Sequence, residues 1–90
     1  MPGSMYYKLK EYIAISGSGV LFNTQTGESF SVNELGMQVI ELIRRNLNHQ
    51  QIKDYIYSEY LIDEEALENH QEEFLIFMKH HQLMDSMPAT

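Results

Sequence analysis

The chain contains no cysteine. Disulfide frameworks, thiolate metal sites and cysteine nucleophiles are thereby excluded together. It also lacks any stretch approaching the ~18 consecutive apolar residues of a membrane span, and no positive–apolar–small succession marks a signal peptide. Basic residues are few: six Lys and Arg stand against 13 Asp and Glu, a formal net charge of −7. So acidic a chain repels phosphate backbones, which argues against nucleic acid and for a protein, or a basic or apolar peptide, as partner. Catalytic signatures are missing as well. Gly17-Ser18-Gly19 lacks the remainder of a dinucleotide fingerprint, and no phosphate-cradling loop occurs. The pairs Glu64-Glu65 and Glu72-Glu73 are neighbours on an exposed helix, with nothing to set one apart from the other as acid and base. His80 and His81 point ~100° apart on a helix, and no His-x-x-x-His spacing exists. No metal, no cofactor and no enzymatic activity are expected, and a cytoplasmic, membrane-free home fits the composition.

What is present suits one small globular domain. The length is 90 residues and the hydrophobic fraction 43%, too high for a disordered chain. A domain of this size buries roughly 60–65% of its unfolded surface, enough for one core but hardly for a deep cavity besides. Met1-Pro2-Gly3-Ser4 ahead of Met5 has the look of a cloning remnant. The domain is expected to span 5–84, with 85–90 a loose tail.

Tyr6 to Ile15 is rich in aromatic and β-branched residues and reads as one half-buried strand, Tyr7 and Leu9 alternating with Lys8 and Lys10. Gly17-Ser18-Gly19 breaks it. Val20-Leu21-Phe22 begins a second strand and Ser29-Phe30-Ser31-Val32 alternates as a third. The turn between them contains Gly27, free to take positive φ. Asn33 is a good N-cap for a helix from about Glu34 to Arg45. Asn48, with Gln51 in the capping-box position, opens a second helix whose buried stripe is Ile52, Tyr55, Ile56 and Tyr60. Asp63 caps a third, running to about Gln82, with Glu64 and Glu65 favourably placed in its first turn. Strands in a run followed by helices in a run indicate an α+β fold: a three-stranded antiparallel sheet, then three helices, in a winged helix-turn-helix-like order. Gly36, in the first turn of helix one, implies close approach of that helix to a neighbour.

The string Val20-Leu21-Phe22-Asn23, a turn with Gly27, then Phe30-Ser31-Val32-Asn33-Glu34-Leu35-Gly36 resembles the PqqD family pattern, in which a hairpin leads into aromatic–x–Leu–Asn–x–x–Gly. The resemblance continues through Ile40-Glu41-Leu42-Ile43, Ile52, Glu59-Tyr60-Leu61-Ile62-Asp63-Glu64-Glu65, Phe74-Leu75, Met78 and Leu83-Met84. Its specificity lies in the order and spacing of these pieces, from about Ile13 to Met84. The chain departs from the pattern with Val32 for the usual Leu, Gln82 where Gly is common, and His70-Gln71 for an Asp-plus-aliphatic pair. The resemblance implies a peptide chaperone in the biosynthesis of pyrroloquinoline quinone or another ribosomally made, modified peptide. Such a protein performs no chemistry itself. It holds the leader of a precursor peptide as an added strand beside the third strand and against the third helix, and presents it to a modifying enzyme, often a radical SAM enzyme.

Candidate binding residues follow from that expectation and from the pattern. Ser29, Phe30, Ser31 and Val32 supply the edge whose unpaired backbone groups a peptide can satisfy. Phe30 and Val32 share one face and serve equally as core residues. On helix three, Leu67, His70, Gln71, Phe74, Leu75 and Met78 form the expected core side. Glu73, Phe77 and His80 flank that side and Ile76 lies further round; this surplus apolar surface suggests an interface. The plainer reading makes Phe77 a cover for the sheet and Ile76 a scattered exposed residue. Two other functions compete: a winged-helix DNA-binding regulator, which the acidic third helix opposes, and a structural subunit of a larger complex. An open edge strand also permits dimerisation.

Overall fold

A computed structural model describes residues 5–87. Among these residues the order is β1 (Tyr6–Leu9), β2 (Ile13–Ser16), β3 (Val20–Asn23), β4 (Ser29–Ser31), α1 (Glu34–Arg44), α2 (His49–Glu59), α3 (Glu64–His80) and β5 (Met84–Met87). The fold is mixed α+β, with a three-stranded antiparallel sheet ordered β2-β3-β4 ahead of three helices. A second, two-stranded sheet pairs β1 with β5.

The expected first strand is thus two strands. Tyr6–Leu9 pairs antiparallel with the end of the chain, Leu9 opposite Met84, whereas Ile13–Ser16 pairs with β3. No glycine or proline marks the break, because it arises from a change of partner. A turn closed by Ile13 N–H donating to Lys10 C=O (3.1 Å) makes the transfer. The Tyr12 hydroxyl pins it by donating to Gln82 C=O at 2.8 Å.

The expected loose tail is likewise corrected: Asp85, Ser86 and Met87 belong to β5, and Lys10 meets Asp85 at 2.7 Å. Met-Asp-Ser-Met carries no strand signal of its own, so its order comes from β1. The expected remnant 1–4 and the last three positions, 88–90, lie outside the described residues.

The helix starts follow local chemistry. Asn33 accepts from Gly36 N–H at 2.8 Å, and Asn48 and Gln51 form a reciprocal capping box. Asp63 accepts from Ala66 N–H at 3.2 Å. Two helix ends share one device. After α1, Asn46 takes φ 65°, with Leu47 N–H donating to Leu42 C=O and Asn46 N–H to Ile43 C=O. After α3, Gln82 takes φ 57°, with Leu83 N–H donating to Met78 C=O and Gln82 N–H to Lys79 C=O. Both are Schellman motifs, whose left-handed residue is usually Gly or Asn. They turn Leu47 and Leu83 back onto the body of the fold, and Leu83 is fully buried.

The core is one cluster shared by all three helices and the strands: Leu21, Ile40, Leu42, Ile43, Ile52, Ile56, Leu67, Met78 and Leu83 are its sealed members. On α2, Ile52 and Ile56 are buried as expected and Tyr60 is half-buried, but Tyr55 is exposed. His49 is the third buried residue of that helix.

Gln82 occupies a conformation that disfavours a side chain by about 1–2 kcal/mol. Gln82→Gly is expected to raise stability by about 1 kcal/mol once glycine's greater chain entropy is allowed for, read as a higher urea midpoint at unchanged slope.

Candidate functional site

β4 lies at the edge of its sheet, with β3 on one side and no strand on the other among the described residues. Its register pairs Val20 with Ser31, Leu21 with Phe30 and Phe22 with Ser29. Beyond these pairs, Val32 N–H donates to Gly19 C=O and Asn23 N–H to Glu28 C=O, both at 2.8 Å. Antiparallel partners alternate between hydrogen-bonded and non-bonded pairs, so Phe30 also turns its backbone toward β3. Ser29 and Ser31 therefore turn their N–H and C=O groups outward, to the open edge.

Beside that edge runs an apolar groove, floored and walled by α1 and α3. Ser31, Val32, Asn33, Phe74 and Phe77 line one end. The other end is a hollow of about 240 Å³ lined by Asn33, Leu35, Gly36, Val39, Leu67, His70, Gln71, Glu73 and Phe74. Asn33 and Phe74 line both, so the two hollows adjoin. Gly36 explains how α1 and α3 come together here. A Cβ on Gly36 would stand 2.5 Å from Val32 Cγ1, closer than real contacts allow, and a tight 3.0 Å from Phe74 Cε1. The space of the missing side chain is taken first by the Val32 side chain and then by the edge of the Phe74 ring.

The sequence-based candidates divide between the two sides of α3. Phe30 and Val32 are half-buried against the core, and Ser29 and Ser31 are exposed. Phe30 meets Phe77 edge-on, with centroids 5.8 Å apart, so Phe77 joins the edge strand to α3. Glu73 stands on the rim of the hollow. Ile76 lies elsewhere: 57% exposed, it lines a separate depression with Met5, Tyr7, His49 and Leu75. His80 is exposed and reaches β4 only through His81, whose ring lies 5.0 Å from His80, 4.9 Å from Phe30 and 4.6 Å from Phe77.

On α3, two residues outside the expected set, His70 and Phe74, join Glu73 and Phe77 along the groove. His70, Glu73, Phe74 and Phe77 follow the i, i+3, i+4, i+7 spacing of one helical face. Leu35 and Val39 face them from α1. The spacing on α3 was available in the sequence. It indicated the buried face correctly at Leu67, Gln71, Leu75 and Met78, whereas His70 and Phe74, expected on that same side, lie along the groove.

A polar network behind the groove fixes α3. The His49 imidazole is buried; its Nε2 lies 3.1 Å from Glu68 Oε1 and its Nδ1 2.9 Å from the Tyr7 hydroxyl. An ionised carboxylate only accepts, so Nε2 donates to Glu68, while Nδ1 shares a hydrogen bond with the Tyr7 hydroxyl. Lys53 Nζ adds a contact at 3.1 Å to Glu68 Oε2. Gln71 Nε2 donates to His49 C=O at 2.9 Å. Burial pushes the Glu68 carboxyl up, but hydrogen bonds and charge from His49 and Lys53 outweigh it and hold the group below its ordinary range. The Tyr7 hydroxyl is raised, by burial first and by the charges of Glu68 and Glu72 second.

Strands, helices and groove define a small α+β domain with an open strand edge beside an apolar hollow. Residues 18–84 match the profile of the family described as Coenzyme PQQ synthesis protein D (PqqD), and the chain belongs to that family. Two solved structures share the fold. "TbiB1 in Complex with the TbiA(beta) Leader Peptide" superposes with a TM-score of 0.80 at 23% identity, over 87% of this chain and 94% of that one. "Lasso peptide synthetase B1 complexed with the leader peptide" gives 0.78 at 16% identity, over 91% and 98%. A search of curated proteins gives no match. No helix among the described residues is long and apolar enough to cross a membrane.

A carboxyl held low stabilises the fold above its unfolded-state value, and that contribution is lost as pH falls through the lowered value. Glu68→Gln is therefore expected to lower stability by about 1 kcal/mol at neutral pH, with the difference shrinking as the pH of the denaturation series is brought below 4.5, the ordinary carboxyl value.

Proposed function

We infer that the protein is a non-catalytic leader-peptide-binding protein. It captures the leader of a ribosomally made precursor peptide as an added strand along Ser29–Val32, lays that strand's inward side chains against α3, and presents the peptide to a modifying enzyme. The observation that carries this reading is the pairing of an outward-turned backbone at Ser29 and Ser31 with an apolar groove alongside. Backbone pairing supplies affinity without regard to sequence, and a hollow at alternate positions supplies selection. Membership of the PqqD family supports it, as do the leader peptides in the two solved complexes of like fold.

In this reading residues 5–87 act as one peptide-binding domain, with β5 closing it. Phe30, Val32 and Phe77 form the wall at the β4 end, and Glu73 the acidic rim. Ile76 and His80, away from the groove, are free for the enzyme, for which a radical SAM enzyme is the family expectation. A nucleic-acid role is disfavoured by charge. The single lysine of α2, Lys53, is held by Glu68 and Glu64, and α3 begins with Glu64 and Glu65.

Leader peptides from short reading frames near the gene, titrated into labelled protein, are expected to shift the amide resonances of Ser29–Val32 and of Glu73–Phe77 saturably. Ser31→Pro removes an outward N–H without touching the pairing to β3, and proline is tolerated at a strand edge. It is expected to weaken the peptide at least about tenfold, a loss of ~1.4 kcal/mol, while leaving the thermal midpoint within a few degrees. Unchanged affinity in that variant, or no shifts with any leader, refutes strand addition and favours a structural subunit.

A further inference from the structure

The three-stranded sheet has two edges, and β2 is the second. Thr24 N–H donates to Tyr12 C=O at 3.0 Å, one residue before β2 begins. Alternation from that pair makes Ala14 and Ser16 the residues that bond to β3, while Ile13 and Ile15 turn their backbone groups the other way. Ile13 N–H is used in the preceding turn, donating to Lys10 C=O. Ile13 C=O and both groups of Ile15 face no further strand among the described residues. The same two residues line a hollow of about 420 Å³ with Leu9 of β1 and Ile43 of α1, and the cations Lys8 and Arg44 line it as well. No carboxylate does. Lys8 is exposed, with no ion pair among the described residues. Arg44 meets Glu41 at 3.8 Å, a contact between two half-exposed side chains that holds it weakly. In a chain of net charge −7, two uncompensated cations over an apolar hollow stand apart from the rest of the surface.

We propose that β2 is a second docking edge, which takes an extended segment of another protein with apolar residues and carboxylates on one face. The segment adds as a strand beside Ile13–Ser16, its apolar side chains enter the hollow, and its carboxylates meet Lys8 and Arg44. Charge decides the occupant. A second copy of this chain brings no such segment, because Asp85 is the one carboxylate on any strand of the described residues and Lys10 holds it. Pairing two β2 strands about a two-fold axis would also double the cations at the joint. The two edges of one sheet are rimmed by opposite charge, Glu73 at the groove beside β4 and Lys8 with Arg44 beside β2. An acidic segment is therefore steered to β2 and away from β4, so two extended segments are held without competing. This docking edge goes beyond the leader-binding reading and does not depend on it.

Two capped peptides read this directly. One is Glu-Thr-Val-Thr-Val-Thr-Glu, whose valines and carboxylates share one face of a strand, and the other carries Lys in place of each Glu. Titrated into the labelled full chain and followed by NMR, the acidic peptide is expected to shift the amides of Ile13–Ser16 saturably. It is expected to bind at least about tenfold more tightly than the basic one. Lys8→Glu, at an exposed position away from the core and from β4, is expected to weaken the acidic peptide at least about fivefold with the thermal midpoint unchanged. Arg44→Gln is expected to act in the same direction, and it decides the matter should Lys8→Glu disturb β1. Equal binding of the two peptides, no shift with either, indifference of both variants, or shifts at Ser29–Val32 in place of Ile13–Ser16 overturns the proposal. So do shifts at Ile13–Ser16 that grow with protein concentration alone, since a second copy would then occupy the edge. Leader-induced shifts at Ser29–Val32, measured in a separate titration, report on capture by β4. Their absence removes the leader-binding reading and leaves the β2 edge untouched, whereas failure of the acidic peptide does the reverse.

Discussion

A buried imidazole has two nitrogens to satisfy, and His49 does so by drawing together segments far apart in the chain. Tyr7 from β1 meets one nitrogen and Glu68 from α3 the other, while His49 itself sits in the first turn of α2. Its backbone takes part too, N–H donating to Met5 C=O and C=O accepting from Gln71. One residue thereby sets the distance from the two-stranded ribbon to α2 and fixes the rotation of α3 about its axis. That rotation decides which α3 residues face the groove. Were α3 turned by one residue, Gln71 would leave His49 and the stripe His70, Glu73, Phe74, Phe77 would no longer face α1.

The groove is therefore the outward consequence of an inward constraint. Gly36 lets Val32 and Phe74 close on α1, and Phe77 and His81 meet Phe30 of the edge strand in one cluster of three rings. These contacts are apolar and tolerant of small adjustments. The hydrogen bonds behind them are not, which gives the hollow a rigid back wall and a softer rim. Such a division suits a surface that must keep its shape while accepting a segment of chain.

What the sequence made legible was local. Asn33, Asn48 with Gln51, and Asp63 mark helix starts because each cap is settled within three or four residues. Gly27 and Gly36 declared a left-handed turn and a close approach. The three-stranded sheet, the three helices and the edge character of Ser29–Val32 could be read from period and order. What escaped was set by distant partners. β5 has no strand pattern and exists because β1 lies opposite it. His49 reads as an ordinary polar residue until Tyr7, Glu68 and Gln71 surround it. Ile76 and Phe77 are neighbours in sequence, and the ~100° between them puts Phe77 in the groove and Ile76 in a separate depression. Gln71 in place of an aliphatic residue was visible as a departure, but its bond to the His49 carbonyl is a fact of packing.

The ribbon of β1 and β5 has a mechanical consequence. Tyr6 pairs with Met87, so the described chain enters and leaves at the same end of one antiparallel pair. Its hydrogen bonds lie across the strands, and a pull between the two ends meets them one after another instead of all at once. The ribbon would peel open under small forces, like a zipper drawn from its tab. The sheet of β2, β3 and β4 shares no strand with it, so the groove's edge stays out of the line of tension. A tether at either end of the domain can tug on the ribbon without first pulling the edge strand from its place.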